Sequence, residues 1–431
     1  MAGNIYDFIE KYKLNAESVK VGDVLHFFHE EMVKGLEGKE SSLQMIPTYV
    51  TDTVNARPGE TVIVLDAGGT NFRTCLVTFD EDLKPVISDF KKVGMPGVKA
   101  EVTAKEFFSY LADSVERLID KSDKIGFCFS YAADITPEHD GITKVFSKEV
   151  KAPEVIGKPI GKCLLEELAS RGHDVSNKTI SIVNDTVATL LATKAEYNGY
   201  CSGYVGFILG TGTNTAYSEM NSNIKKIKYD EDGAQIINVE SGGLALDLGE
   251  FEKGFFETTK NPNVYHFEKM ISGAYLGAFA GYTIKKVIEE GYFSEEFASR
   301  YNEIEPLDTI RMSHYLEMPH NAEYDLVKCV GDNEEDASAL YILLEAVIER
   351  AAKLTALNLA AAVLQGDLGT SPRYPAIINA DGTTFYKTAK LKEYTEYYLT
   401  QILAKQYHRY YKIVRIDDSP VLGAAIAGLS I

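Results

Sequence analysis

The chain has 431 residues, with 44 Lys and Arg against 63 Asp and Glu, which gives a formal net charge of −19 at pH 7. A chain this acidic lacks the basic face that nucleic acids and anionic membranes attract, which argues against both kinds of partner. Apolar residues make up 45% and charged residues 25%, as in soluble globular proteins, and the length is enough for two domains.

The cysteines and the N-terminus indicate where the protein works. There are five cysteines, and none of them forms a C-x-x-C pair, so we expect neither a disulfide framework nor a structural zinc site. The opening "MAGNIYDFIEKYK" has no basic segment followed by an apolar core, and no apolar run reaches the ~20 residues of a membrane helix. We expect a cytoplasmic protein, either a monomer or a homodimer.

Hydrophobic periodicity predicts the elements in chain order. A helix is predicted over 15–36, and strands follow in "TVIVLDA", "FRTCLVTF", "KPVISDFKKV", "KIGFCFS" and "KTISIVNDT", with the helices "AKEFFSYLADSVERLID" and "GKPIGKCLLEELASRG" between them. A second strand series opens with "GYVGFILGTGTNTAYSE". After about residue 245 the pattern is mostly helical, with late strands in "YPAIINADGTT" and "YYKIVRIDDS". Strands that alternate with helices predict an α/β fold.

A short repeat divides the chain into two halves. The triplet G-T-N occurs at 69–71 and again at 212–214, each time between apolar strands. Two halves that open with the same hairpin suggest two domains with a cleft between them. We place a small domain at 61–185 and a large domain at 1–60 and 186–431.

The two glycine loops, "LDAGGTNFR" and "ILGTGTNTAY", have the composition of phosphate-binding backbone. Glycine leaves backbone N–H groups open to an anion, and threonine hydroxyls add donors. Asp66, at the end of the first strand, can hold a hydrated Mg²⁺. The plain structural alternative is a pair of ordinary β-hairpins, and neither loop is a Walker P-loop.

Other polar residues have structural explanations when they are taken singly. Asn184 and Asp185, in "IVNDTVATLL", suit the capping of a helix, and the same junction could present a general base. Glu240 lies in "INVESGG" before two glycines. Glu268 begins a predicted helix, where the macrodipole favours an acid. The segment "VFSKEV" offers a serine and a lysine that mean little in isolation.

Together these segments resemble the hexokinase family, which has the actin-like ATPase fold. "LDAGGTNFR" and "LGTGTNTAY" resemble its two phosphate loops, "VNDTVATL" the segment of its catalytic aspartate, and "GFCFS", "FSK", "INVESGG" and "FEKMISGAYLG" its sugar-binding segments. "ADGTTFYK" resembles its adenosine region, and "LGAAIAG" resembles the segment C-terminal to that region. The resemblance implies two actin-like (ribonuclease-H-like) α/β domains with a cleft between them, the large domain being rich in helices.

The resemblance also implies a reaction and a set of site residues. The reaction would be phosphorylation of a hexose, first of all glucose, at its 6-hydroxyl by ATP with Mg²⁺, the step that opens glycolysis. Asp185 would be the general base, and Lys148 would contact the sugar and stabilise the transferring phosphoryl group. The residues implied in sugar binding are Ser130, Ser147, Lys148, Asn184, Asp185, Asn214, Glu240 and Glu268. The residues implied around nucleotide and metal are Asp66, which would reach Mg²⁺ through water, and Gly68, Gly69, Thr70, Asn71, Arg73, Thr211, Gly212, Thr213, Gly273, Thr383 and Gly423.

The sequence departs from the family pattern at several positions. Ala132 replaces a proline, Ser147 replaces a threonine, and Ser241 replaces an aromatic residue, which leaves the preferred sugar open. A nucleotide-side loop "SPVLG" at 419–423 replaces Gly-Ser-Gly-Lys-Gly, which leaves the strictness for ATP open. The alternatives are a kinase for another sugar or an aminosugar, a catalytically weak sugar sensor, and an actin-like assembly ATPase.

Overall fold

The structure is a computed structural model, which describes residues 4–51, 56–146, 150–197, 199–229 and 232–431. The strands are β1 (Ile46–Pro47), β2 (Thr61–Gly68), β3 (Asn71–Phe79), β4 (Pro85–Gly94), β5 (Lys124–Phe129), β6 (Ala132–Ile135), β7 (Gly141–Val145), β8 (Thr179–Val183), β9 (Gly203–Leu209), β10 (Thr213–Met220), β11 (Ala234–Asn238), β12 (Ala376–Asp381) and β13 (Tyr411–Val414). The helices are α1 (Ile5–Lys11), α2 (Val21–Glu37), α3 (Ala104–Val115), α4 (Ile160–Ser170), α5 (Asp185–Tyr197), α6 (Glu250–Glu257), α7 (His266–Ile271), α8 (Leu276–Glu289), α9 (Glu295–Tyr301), α10 (Thr309–Glu317), α11 (Asp325–Val330), α12 (Glu334–Gln365), α13 (Thr383–Lys387), α14 (Leu391–Leu399) and α15 (Ser419–Leu429).

Two sheets share one topology. The first has the strand order β4-β3-β2-β5-β8, and the second has β1-β11-β10-β9-β12-β13. In each sheet a meander of three antiparallel strands continues into two parallel strands on its other side. This ribonuclease-H-like repeat confirms the α/β prediction with two similarly built halves. The two G-T-N triplets lie at equivalent hairpins, the first between β2 and β3 and the second between β9 and β10.

The first sheet is covered on both faces, which explains its continuous apolar strands. Ile63 and Leu65 of β2 pack into a core with α3 and α4, while Val62 and Val64 pack into a different core that includes α15. Successive side chains of a strand point to opposite faces of the sheet, so the two pairs lie in separate cores. A further core surrounds α12, whose 32 residues run through the helix-rich part of the chain.

The predicted helix over 15–36 is interrupted in the structure. A short 3₁₀ turn at Ala16–Ser18 is capped by the side chain of Asn15. The backbone is then extended at Val19 and Lys20, so α2 begins only at Val21. The apolar period continues across the break because Leu14 and Val19, on either side of the turn, share a core with α2.

Helices α5 and α15 each pack mainly on the sheet that they do not follow in the chain. Helix α5 follows the last strand of the first sheet but packs on β9 of the second, whereas α15 follows the second sheet and packs on β2 and β5 of the first. The two helices also pack against each other. At three glycines in these layers a β-carbon would lie 1.8 to 2.3 Å from a carbonyl oxygen of the next layer. The glycine and the residue it faces are Gly126 and Ala424, Gly423 and Ala188, and Gly206 and Thr186.

The proposed domain limits, 61–185 and the remainder, stay a prediction. The five strands of the first sheet lie within 61–185, whereas α15, which packs on that sheet, lies outside it. Among the described residues, no helix is long and apolar enough to cross a membrane.

The glycine layers predict a sharp contrast between two Gly→Ala variants. In Gly423→Ala the new methyl carbon would lie 1.9 Å from the carbonyl oxygen of Ala188, so α15 or α5 must shift. We expect the free energy of unfolding to fall by about 1–3 kcal/mol or more, measured by urea denaturation.

Gly22→Ala is the matched control, because Gly22 lies in α2 and nothing is within 4 Å of its β-carbon position. It should gain roughly 0.5–1 kcal/mol, the ordinary helix preference for alanine. Equal stability of the two variants would contradict the layered packing.

Candidate active site

Four polar side chains meet where strands of the two sheets end. Asn214 of β10 donates through Nδ2 to Oδ1 of Asn238 at 2.7 Å and to Oε1 of Glu240 at 3.0 Å. Asn238 donates to the same oxygen of Glu240 at 2.9 Å, and Asn184 Oδ1 lies 3.5 Å from the Asn214 amide. Their oxygens and amides form a surface suited to the paired hydrogen bonds of a polyol.

Glu240 is held in an unusual backbone conformation. Its φ is 58°, in the left-handed region that residues other than glycine rarely adopt. Burial raises the pKa of Glu240, and repulsion from Asp185 and Glu268 acts in the same direction, while the amides of Asn238 and Asn214 stabilise the carboxylate. The strained turn therefore presents a buried carboxyl group. This group accepts hydrogen bonds from two amides and lies near two other carboxylates.

The cavity beside Glu240 takes its walls from both halves of the chain. Phe129, Tyr131 and Lys144 line it from the first half, and Asn238 and Tyr265 line it from the second. A site between two halves is a common place for a small polar ligand.

Asn184 and Asp185 divide two tasks at the start of α5. The side-chain oxygen of Asn184 accepts the backbone N–H of Thr186 at 3.0 Å, so Asn184 is the helix cap. Asp185 is the first residue of α5 and accepts the Thr186 hydroxyl at 3.3 Å. The helix N-terminus favours its negative charge. The capping explanation thus applies to Asn184 and leaves Asp185 for another role.

The first glycine loop is the tight turn between β2 and β3. Gly68 pairs with Asn71, and Gly69 has a φ of 58° that a glycine adopts freely. Gly69 and Thr70 are exposed at its tip. Ser130 lies against this loop, because its Oγ is 3.2 Å from where a β-carbon on Gly68 would be. The structure thus places Ser130 beside the first glycine loop.

Asp66 and Arg73 face each other across β2 and β3, with Nη1 and Oδ2 3.2 Å apart. Arg73 therefore braces the carboxylate of Asp66. Burial raises the pKa of Asp66 to about 6; Arg73 opposes this shift, and Asp185 and Asp418 add repulsion. A buried carboxylate near two others has the donor chemistry of a hydrated Mg²⁺ site, in which the ion keeps several waters. Within the described part of the chain, no group of three or more His, Cys, Asp or Glu is placed to hold a metal directly.

The carboxylate of Glu268 contacts the backbone of the second glycine loop. The backbone N–H of Thr213 donates to Glu268 Oε2 at 3.0 Å, and a β-carbon on Gly212 would lie 2.6 Å from the same oxygen. The hydroxyl of Thr213 donates to the Ile208 carbonyl at 2.9 Å. Thr213 and Glu268 therefore shape the loop, while Thr211 at its tip is exposed.

Thr211, Gly273 and Thr383 line one pocket beside this loop. The N–H of Gly273 and the hydroxyl of Thr384 both donate to the carbonyl of Gly210 at 2.8 Å. A β-carbon on Gly273 would lie 2.2 Å from the Thr384 hydroxyl, so glycine is required for this approach. The pocket therefore adjoins the second glycine loop.

Comparison with known proteins places this geometry in a family. Two family models, both described as hexokinase, match residues 4–195 and 204–430. The chain belongs to the hexokinase family.

Individual members of the family show how the chain aligns with whole proteins. Human Hexokinase-3 is 30% identical over 359 residues, which cover 77% of this chain and 37% of that protein. Hexokinase-5 of rice is 28% identical and covers 93% of this chain and 84% of its own length. The chain spans less than half the length of the mammalian hexokinases it matches. A solved hexokinase of Schistosoma mansoni, complexed with glucose, has a TM-score of 0.77 and 25% identity, with both chains covered completely.

One expectation about the C-terminal part needs correction. The segment "SPVLG" is the first turn of α15 and not a loop, and Pro420 lies where a helix leaves its N–H groups unpaired in any case. Gly423 is packed closely against Ala188 and does not line the pocket of Thr211, Gly273 and Thr383. Its assignment to the nucleotide stays a prediction.

The bearing of Ser241 on sugar preference stays a prediction. Ser241 is fully buried, and its hydroxyl lies 3.1 Å from that of Thr215. Ser147 and Lys148 lie outside the described residues, so their roles stay predictions.

Three residues near the site were not singled out from the sequence. Asn238 lies in the quoted segment "INVESGG", and its amide beside a glutamate was the available signal. Tyr265 and Asp418 both have a left-handed backbone, with φ of 57° and 53°. No sequence pattern marks either of them.

The raised pKa of Asp66 predicts a stability that depends on pH. Between its ordinary value of 3.8 and about 6 the folded chain holds a proton that the unfolded chain has lost, so stability falls as pH rises through this window and the cost persists above it. At pH 7.5, Asp66→Asn should raise the free energy of unfolding by up to about 3 kcal/mol, and at pH 4 by much less. Urea denaturation at both values measures this.

Asp134→Asn is the control, because Asp134 is an exposed partner of Lys144. It should give no gain that grows with pH. A variant at Asp66 that is no more stable than the wild type at pH 7.5 would show that Arg73 compensates fully for the burial of the carboxylate.

Proposed function

We propose that the chain is an ATP-dependent hexokinase that phosphorylates the 6-hydroxyl of a hexose, with glucose as the first candidate. The observation that carries the proposal is the ring of Asn184, Asn214, Asn238 and Glu240 beside two glycine loops. The Schistosoma mansoni relative, which was solved in complex with glucose, supports a hexose as the ligand.

The polar ring would bind the sugar by exchanging hydrogen bonds with it. The amides of Asn214 and Asn238 can donate to hydroxyl oxygens, and the carboxylate of Glu240 can accept from hydroxyl groups. Like-charge repulsion around Glu240 raises the cost of its ionisation in the free protein. Hydroxyl donors of a sugar would relieve that cost.

Asp185 would accept the proton of the 6-hydroxyl while that oxygen attacks the terminal phosphorus of ATP. The bond from this phosphorus to ADP breaks as the new bond forms. Such a transfer depends on positioning and charge stabilisation more than on covalent catalysis. Asp185 is held at the junction of β8 and α5, two rigid elements. Lys148 would stabilise the moving phosphoryl group, a proposal that rests on the sequence alone.

The glycine loops would bind the triphosphate of ATP through their backbone N–H groups. Gly68, Gly69, Thr70 and Asn71 supply the first loop, and Thr211 and Gly212 supply the second, with Gly273 and Thr383 on the nucleotide side. Asp66, with Arg73 behind it, would hold Mg²⁺ through water. When bound, the ion neutralises phosphate charge.

The decisive experiment is a coupled assay of ADP release with glucose, other hexoses, an aminosugar or no sugar. Release that depends on a hexose supports the proposal. Sugar binding without turnover would indicate a sensor, and ADP release that no sugar changes would indicate an assembly ATPase.

Asp185→Asn should lower kcat by about 10²- to 10⁴-fold, the usual contribution of a general base. Sugar Kd should change only severalfold, because asparagine keeps the shape and a hydrogen-bonding oxygen. The melting temperature should hold, since the cap of α5 belongs to Asn184. Turnover and calorimetric sugar binding measure this.

Asn184→Ala is the matched variant for stability. It removes the cap acceptor and should cost about 1 kcal/mol of unfolding free energy. A near-normal kcat in Asp185→Asn would remove Asp185 from the centre of the mechanism.

Glu240→Gln should weaken sugar binding by roughly 10- to 100-fold, because a charge-assisted hydrogen bond contributes about 1.5–3 kcal/mol. Glu268→Gln should act in the same direction. In Glu240→Gln the ATP KM should stay within about twofold of the wild type.

The reciprocal control is Gly273→Ala, whose methyl carbon would lie 2.2 Å from the Thr384 hydroxyl. It should raise the ATP KM and leave sugar Kd nearly unchanged. If both glutamate variants bind sugar as the wild type does, the sugar site lies elsewhere.

A further inference from the structure

Glu31 is a buried acid on α2, away from the polar ring, and it anchors the loop that follows this helix. Its Oε2 accepts the backbone N–H of Ser42 at 2.7 Å, the Ser42 hydroxyl at 2.8 Å and the Ser41 hydroxyl at 3.1 Å. Lys34 donates to its other oxygen at 2.8 Å. Burial acts to raise the pKa of Glu31, but these hydrogen bonds outweigh it and lower the pKa to about 2.

The anchored loop presses against the turn that carries Glu240. The carbonyl oxygen of Ser42 lies 2.8 Å from where a β-carbon on Gly243 would be. Three residues further on, the N–H of Met45 donates to the carbonyl of Val239 at 3.2 Å. The loop therefore contacts the turn on both sides of Glu240 in the chain.

The opposite side of the same turn is also confined. A β-carbon on Gly242 would lie 3.0 Å from the carbonyl of Thr213 in the second phosphate loop. The N–H of Ser241 donates to Asn214 Oδ1 at 3.3 Å. The turn thus lies between the anchored loop and the phosphate loop, and this confinement accounts for a left-handed glutamate at 240.

We propose that Glu31 is a positioning residue for sugar binding, which acts on Glu240 through Ser42 and Gly243. Glu31 does not line the sugar cavity, so its effect passes through the backbone of the loop and the turn. The inference rests on the proposed function, because it assumes that Glu240 contacts the sugar.

A purely structural role for Glu31 predicts a different outcome. It would lower the melting temperature and the amount of folded protein but leave the kinetic constants of the folded fraction unchanged. A positioning role separates the substrates: the sugar KM rises, while the ATP KM and kcat at saturating sugar change little.

The test is Glu31→Gln, with glucose and ATP as the probes. Glutamine keeps the size of the side chain but removes its charge, so the hydrogen bonds from Ser41 and Ser42 lose their charge assistance. We expect the sugar KM and the calorimetric glucose Kd to rise about tenfold, and the ATP KM to stay within about twofold. Glu31→Asp, which keeps the carboxylate, should recover part of the affinity.

Two further variants keep the test independent of folding. Gly243→Ala approaches the same contact from the turn, since its methyl carbon would meet the Ser42 carbonyl, and it should raise sugar Kd without touching Glu31. Lys34→Met removes the ion pair and leaves the serine bonds, so it should bind sugar as the wild type does.

The outcomes separate this inference from the proposed function. If the wild type binds glucose and both Glu31→Gln and Gly243→Ala bind it within twofold, the positioning role is wrong and the function stands. If the wild type binds none of the sugars, the proposed function fails and the inference fails with it.

Discussion

Close backbone contact between layers is the constraint on which the rest of this structure depends. The first sheet, α15, α5 and the second sheet are stacked in that order, and at each contact between neighbouring layers a glycine lies close to the backbone of the next layer. A side chain at Gly126, Gly423 or Gly206 would separate the layers by the width of a methyl group. Asp66 in β2 and Glu240 of the polar ring both interact with Asp185 at the start of α5, so the thin layers bring the first glycine loop and the polar ring close together.

The same site concentrates acids, and this works against stability. Asp185 and Asp418 repel Asp66 near the first loop, and Asp185 and Glu268 repel Glu240 near the polar ring. Among the described residues, Arg73 forms an ion pair with Asp66 and partly offsets this negative charge. A protein selected for stability alone would not keep such a group. Its persistence is understandable if ligands that bring hydroxyl donors or a cation complete the site.

The fold was largely accessible from the sequence because it depends on local pattern. Short apolar and β-branched runs predicted most strands of both sheets, and the repeated G-T-N triplet predicted two similar halves. What the sequence could not supply depended on contacts between distant segments. The close packing of Gly423 against Ala188 in α5 is visible in neither segment alone. Arg73 could be understood only through its cross-strand register with Asp66. Asn238 was overlooked because an asparagine at the end of a strand is ordinary until its distance from Glu240 is known.

The exchange of α5 and α15 has a consequence for how the polypeptide acquires its structure during synthesis. The first sheet is translated early, but one of its faces stays uncovered until residues 419–429 emerge, after every other described helix and strand. Val62, Val64 and Val183 are then exposed on a nascent chain until α15 is made. Such a sheet cannot mature as an autonomous unit, and its late closure over a long sequence separation favours slow folding and a need for chaperones.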